Sequence, residues 1–153
     1  MIESLQEFAG SFPVWAQWFA IVLVSAIPFV ESYFGSVIGV AIGLHPAIAI
    51  GAAVVGNVVS MVAFVYGAHA ARRRTVGDEE QLTPRREKLR RMFDRFGVPG
   101  VSLLGQTMLP SQITAGAMVG FGASRKAVTW WQVLSIVLWG VAFGLLAAGL
   151  IRV

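Results

Sequence analysis

Long apolar runs broken at a few fixed points set the plan of this chain. Residues 13–27 are almost wholly apolar and open on Pro13, a residue suited to an early helical position. A polar interruption follows at Pro28-Phe-Val-Glu31-Ser-Tyr33, and then a glycine-spaced apolar stretch over 35–44. His45-Pro46 marks the next break, because the residue before a proline avoids the helical region. Residues 46–71 hold no carboxylate, Lys or Arg. As a helix they would reach about 39 Å at 1.5 Å per residue, beyond a hydrocarbon core of about 30 Å. That length predicts a membrane-spanning helix with some tilt, ending at Arg72.

The pattern then changes. Residues 75–83 are polar, and Thr83-Pro84 has the form of a helix start, with Thr83 as N-cap. Over 84–96 the apolar residues Leu89, Met92, Phe93 and Phe96 fall at i, i+3, i+4 and i+7, one face of a helix. Arg85, Arg86, Lys88, Arg90, Arg91 and Arg95 form its polar side. A basic amphipathic helix suits the surface of an anionic leaflet, with lipid headgroups as its partner, or the flank of its own protein.

Residues 98–123 are again apolar, yet charge argues against a simple crossing. Arg95 precedes the segment and Arg125-Lys126 follows it, so the positive-inside bias places both ends on the cytoplasmic side. Pro110 would divide it into two arms of a re-entrant hairpin. Residues 126–151 make the second full span, with Trp130 and Trp131 as interface anchors near one end.

The first half has the same layout. Residues 13–27 are too short to span unaided, 28–33 would be a hairpin tip, and 35–44 the returning arm. The expectation is a single all-α integral membrane domain over 1–153. It comprises two inverted repeats, 14–71 and 98–151, each a re-entrant helical hairpin followed by a transmembrane helix. The basic cytoplasmic linker 72–97 joins them. Inverted repeats whose broken helices meet at mid-membrane are a recurrent transporter plan. An ordinary bundle, with 13–43 as one kinked helix, is the competing layout.

Composition sharpens this picture. Of 153 residues 56% are hydrophobic and 13% charged, with mean hydropathy +0.72; soluble domains carry about 25% charged residues. The net charge of +4 is local. Outside 72–95 the only Lys and Arg are Arg125, Lys126 and Arg152, which marks topology rather than a nucleic-acid surface. Residues 1–12 hold Glu3 and Glu7 and no basic residue, so they do not read as a cleavable signal, and the apolar run after them is expected to remain. Cysteine is absent, which excludes disulfides and thiolate chemistry.

Glu31 is the only carboxylate, Lys or Arg between Val14 and Tyr66. A charge at bilayer centre costs about 2.5 to 3.5 kcal/mol on insertion scales, so such a residue faces a cavity or a partner. A carboxyl shielded from water holds its proton more readily, the property a coupling group needs. Glu31 is therefore the expected transport and coupling residue. Pro28, Tyr33, Asn57, Gln106, Pro110, Gln112 and Thr114 are candidates for the substrate pathway, with Thr107 and Ser135 as further polar groups at similar depth. Helices starting after Pro28 and Pro110 would aim their positive dipole ends at the centre, favouring an anionic group there. Gly35, Gly39 and Gly43, then Gly116 and Gly120, and Gly140 and Gly144, follow small-xxx-small spacing and predict close helix packing, compatible with a homo-oligomer. His45 and His69 fall near opposite membrane boundaries, so no shared metal site is expected. No phosphate loop, catalytic triad or zinc signature is present, and neither an enzymatic activity nor a cofactor is expected.

Pro28-Phe-Val-Glu31, the glycine-rich arm after it, and Gly56-Asn57 resemble the first half of the small multidrug export family, within the wider DedA superfamily of membrane proteins. Phe96-Gly97, Gly105-Gln106-Thr-Met-Leu-Pro110, Ala115-Gly116 and Ser124-Arg125-Lys126 resemble its second half. The likeness covers about 14–150 and rests on breakpoints and loose motifs. It implies two facing re-entrant hairpins and secondary transport or efflux of a small-molecule or lipid substrate. Many DedA relatives carry arginines beside the second-tip proline, where this chain has Gln106 and Gln112. Gln cannot replace the bidentate charge-assisted bonds of Arg to phosphate, which puts a phosphate-headed lipid in doubt. A DedA-type lipid flippase or scramblase is the alternative. A non-transporting membrane assembly factor is a further one.

Overall fold

A computed structural model describes residues 1–72 and 83–151. Arg73, Arg74 and the polar stretch 75–82 lie outside these, as do the side chains of His69 and Arg72. Of the described residues 85% are helical, and none of them lies in a strand. In order come α1 (Ile2–Gly10), α2 (Gln17–Ser25), α3 (Glu31–Ala41), α4 (Pro46–Arg72), α5 (Pro84–Leu104), α6 (Ser111–Gly120) and α7 (Arg125–Ile151). Short 3₁₀ turns, Val14–Ala16 and Gly105–Thr107, precede α2 and α6.

Proline and glycine set most of the breaks. Pro28 lacks an N–H and disfavours a helical Ile27, so α2 stops at Ser25 and the chain turns through 26–30. At Gly97 the backbone leaves the helical region (φ 64°, ψ −165°), a conformation open to glycine, and this kink divides α5 into two helices. The amphipathic helix thus ends beside Phe96, as the apolar pattern predicts. Thr83 stands at its N-cap with extended backbone and makes no side-chain cap bond. His45 has the capping role before α4, its Nδ1 accepting from the Ala47 N–H at 3.3 Å.

α4, over Pro46–Gly67, and α7, over its whole length, are long and apolar enough to cross a membrane. A third span is available if Ile2–Gly10 and Val14–Ser25, bent by 119° at their junction, act as one. The surface agrees with membrane residence. Along α4, Ile48, Val55 and Val59 face outward, and along α7 so do Leu134, Leu138, Val141 and Leu145. Trp15 and Trp130 are more than three-quarters exposed. The buried set, by contrast, includes Gln17, Glu31, Asn57, Gln106, Gln112 and Gln132. Polar groups inside and large apolar groups outside are what a hydrocarbon solvent selects, since lipid does not penalise apolar exposure while every polar group needs an internal partner.

The chain divides into two compact units. Met1–Ser60 together with Ile136–Val153 is the first, and Met61–Ser135 the second. In the first, α2 packs on α3 and α1 covers both. Ala9, Ala20, Ile21, Val24, Val30, Ile38, Ala52 and Ala53 form the core, with Leu5 and Phe12 against it. A second cluster joins Val40 and Ala49 to Ala147 and Ala148. Small residues dominate because the helices approach closely. A Cβ on Gly39 would meet Cβ of Ala49 at 2.7 Å, one on Gly140 the Ser32 side chain at 3.2 Å, and one on Gly56 the carbonyl of Val22.

Within the second unit, α5 packs on α6 and on the 3₁₀ turn between them. Leu89 is wholly buried, and Phe93 lies 5.6 Å from Phe121, ring centre to ring centre. The guanidinium of Arg90 sits 5.0 Å above the Phe121 ring. Part of the apolar face of α5 is therefore spent on its own protein; Phe96 remains half-exposed.

Candidate functional site

Glu31 is wholly buried. The expectation placed it in a hairpin tip over 28–33, but the turn is confined to 26–30, and Glu31, Ser32 and Tyr33 already belong to α3. Glu31 is the acidic residue of that helix's first turn, where a carboxylate complements the exposed N–H dipoles. At the α3 terminus the anionic group that the dipole end favours is supplied by the chain itself. The α6 terminus has no acidic residue in its first turn; Ser111 and Gln112 stand there, both buried.

The backbone around Glu31 is unusual. Phe29 and Glu31 have φ of 74° and 55°, and they are the only non-glycine residues with positive φ among those described. A left-handed conformation costs an ordinary residue about 1 to 2 kcal/mol, and such strain collects where packing over-determines it. Here the hydrogen bonds of the turn supply that determination. The N–H groups of Val30 and Glu31 donate to the Ile27 carbonyl at 3.1 and 3.3 Å, and Ser60 Oγ on α4 donates to the Ala26 carbonyl at 2.8 Å. Pro28 and Phe29 themselves project outward and are exposed.

Beyond Glu31, α3 turns small polar groups inward. Ser32 Oγ donates to the Ile136 carbonyl of α7 at 2.8 Å, and Ser36 Oγ donates back to the Ser32 carbonyl one turn earlier. Tyr33 is half-buried. Its ring packs 4.8 Å from Phe34 and 5.6 Å from Phe143, and Phe143 lies 5.8 Å from Trp139. An aromatic row thus starts two residues from the buried carboxyl. Asn57 of α4 belongs to the same unit and is wholly buried.

The second unit holds the other candidates. Gln106, on the 3₁₀ turn, donates through Nε2 to Gln132 Oε1 of α7 at 3.1 Å. Pro110 is buried and opens α6. Thr114 is buried, its Oγ1 donating to the Leu109 carbonyl at 3.2 Å, and Ser111 Oγ lies 3.4 Å from Gln112 Oε1. Thr107 is exposed and donates to the Leu104 carbonyl at 2.7 Å. Glu31, Tyr33 and Asn57 therefore fall in one unit and Gln106, Gln112 and Thr114 in the other.

Several further polar residues that the sequence marks only weakly also point inward, namely Ser25, Ser32, Ser36, Ser102 and Gln132. Their signal is a small or amide side chain recurring at i+3 or i+4 on an otherwise apolar helix, as in Ser32 and Ser36. The glycine stripes need a correction as well. Gly35 and Gly39 lie at close approaches, and so do Gly140 and Gly144, but a Cβ on Gly43 or Gly116 would meet nothing within 4 Å. Gly43 has φ 96° just past α3, where it serves chain reversal rather than packing. Gly120 lies at the end of α6. No three His, Asp or Glu side chains gather to hold a metal ion among the described residues.

The chain matches no protein-family profile, no curated protein and no solved structure. The likeness to the small multidrug export family rests on its own residues alone.

Proposed function

We propose that this chain is a membrane secondary transporter or exporter of the small multidrug export, DedA-like, type, with Glu31 as its proton-coupling group. The observation that carries the reading is the wholly buried Glu31 carboxyl, held on left-handed backbone inside a helical chain clad in apolar side chains. Burying an ionisable group in this setting costs folding energy, and a residue kept at such a cost in a membrane protein is by default a functional one. A carboxyl that changes its solvent access during a cycle takes up a proton in one state and releases it in the other. In this reading 13–44 and 98–123 are re-entrant hairpins, the two halves form an inverted repeat, and the basic segment 72–97 faces the cytoplasm. The two helix–turn–helix segments, each followed by a long apolar helix, support that layout.

Reconstitution into proteoliposomes tests the coupling. With a pH gradient imposed, the wild-type chain should move a hydrophobic dye across the bilayer together with protons, recorded by dye fluorescence and a trapped pH indicator. Glu31→Gln should abolish the proton-dependent part. Proton-driven dye movement that persists in Glu31→Gln would remove Glu31 from the mechanism. Redistribution of labelled lipid between leaflets, with no dye movement, would instead assign the flippase or scramblase activity.

A further inference from the structure

The second unit contains a buried polar ladder that helix packing leaves incomplete. Gln106 and Gln132 join α7 to the 3₁₀ turn by their 3.1 Å amide bond. Ser102 stands one helical turn before Gln106, and Thr129 and Ser135 stand three residues to either side of Gln132. Ser102, Gln132 and Ser135 are wholly buried, and Gln106 is 6% exposed. Trp130, Leu134 and Leu138 occupy the opposite, outward side of α7. The ladder therefore faces the protein interior.

Packing glue would use these groups up, and it does not. Ser102 Oγ, Gln106 Oε1, Thr129 Oγ1, Gln132 Nε2 and Ser135 Oγ are all buried, with no hydrogen-bond partner among the described residues. The way each amide is turned does not alter the result. Exchanging O and N on both glutamines preserves their mutual bond and still leaves one carbonyl oxygen and one amino group unused. The surplus is thus one acceptor, one donor and three hydroxyls that can do either.

We infer that Ser102, Gln106, Thr129, Gln132 and Ser135 form a binding subsite for an uncharged group bearing hydroxyl or carboxamide functions. The chemistry of the set decides the class. An anionic phosphate or carboxylate would find no cation among these five side chains, and an ammonium would find no carboxylate. A neutral group that donates and accepts at once can satisfy both leftover amide atoms and the neighbouring hydroxyls. Such a group can belong to a free polyol or to the head of a neutral lipid. The inference concerns binding and stands whether or not the chain transports its ligand.

Side-chain amide NMR of the full chain in nanodiscs tests it, with glycerol, dioctanoylglycerol and dioctanoyl phosphatidic acid as probes. Glycerol or dioctanoylglycerol should shift the Gln106 and Gln132 amino resonances saturably, and which of the two does so tells a free solute from a lipid head. Phosphatidic acid should bind about tenfold more weakly or not at all. Gln132→Leu should weaken the neutral probe by about tenfold, as expected for loss of a buried hydrogen-bonding partner. Ser135→Ala, a change too small to threaten the fold, should weaken it severalfold. Overturning results would be no saturable shift with either neutral probe, equal binding of phosphatidic acid, affinity unchanged in Ser135→Ala, or amide signals that exchange with water alone.

Discussion

Ser32 Oγ donates to the backbone carbonyl of Ile136 at 2.8 Å, fastening the first turn of α3, immediately after Glu31, to the middle of α7. The partners are 104 residues apart in sequence. Because the acceptor is a helix carbonyl, the bond adds to the backbone bonding of α7 without replacing it, and it fixes where along α7 the first turn of α3 sits. Gly140, one turn further along α7, leaves the space that Ser32 fills.

Ser32→Ala should lower unfolding stability by about 0.5 to 1.5 kcal/mol, the net worth of one internal hydrogen bond. Denaturant unfolding in mixed micelles measures this. Gly140→Ala should cost at least as much, since its Cβ would press on Ser32 at 3.2 Å and on Val54 at 3.1 Å. A neutral result for both would mean that the α3–α7 contact does not carry the fold.

Glycines of one spacing class should respond with opposite signs. Gly39→Ala places a methyl 2.7 Å from Ala49 Cβ, so it should destabilise by about 1 to 3 kcal/mol through overpacking. Gly116→Ala meets open space inside α6 and should stabilise by up to about 1 kcal/mol, through helix propensity. Midpoints of thermal unfolding in detergent separate the two.

The basic helix gives a third contrast. Leu89→Ala removes a wholly buried side chain and should cost about 2 to 5 kcal/mol. Asp94→Asn breaks an exposed Arg90–Asp94 pair at 3.3 Å and should change stability by less than about 1 kcal/mol. Were Leu89→Ala as mild as Asp94→Asn in a stability assay, α5 would be a surface helix with its apolar face turned to lipid.

Phe29 offers a gain. Its ring is exposed and its φ is 74°, so Phe29→Asn should relieve backbone strain and raise stability by up to about 1 kcal/mol. If strain at this turn serves the cycle of Glu31, the same variant should slow proton-dependent dye movement in proteoliposomes. Stability and flux measured on one preparation show whether the two effects separate.

Much of the fold was legible in the order of residues because its causes are local. Runs free of Asp, Glu, Lys and Arg announced α4 and α7, prolines and His45-Pro46 announced the breaks, and the spacing of Leu89, Met92, Phe93 and Phe96 announced the amphipathic helix up to Gly97. Helix α1 was not legible. It holds Glu3 and Glu7, and its place depends on Ala9 and Leu5 meeting a core assembled from α2, α3 and α4. The isolation of Glu31 in an apolar stretch marked it in the sequence. Its burial, its helical position and its left-handed backbone came only from packing, which confined the turn to 26–30 and drew Ser32 onto Ile136. Gln106 was visible as a polar residue near Pro110, but Gln132 could not be matched to it, because the hydrogen bond joins positions 26 apart in the chain. Hydropathy decides what enters the bilayer, since that free energy sums over residues one by one. Which polar atoms meet inside depends on distances between helices, and only the tertiary structure sets those.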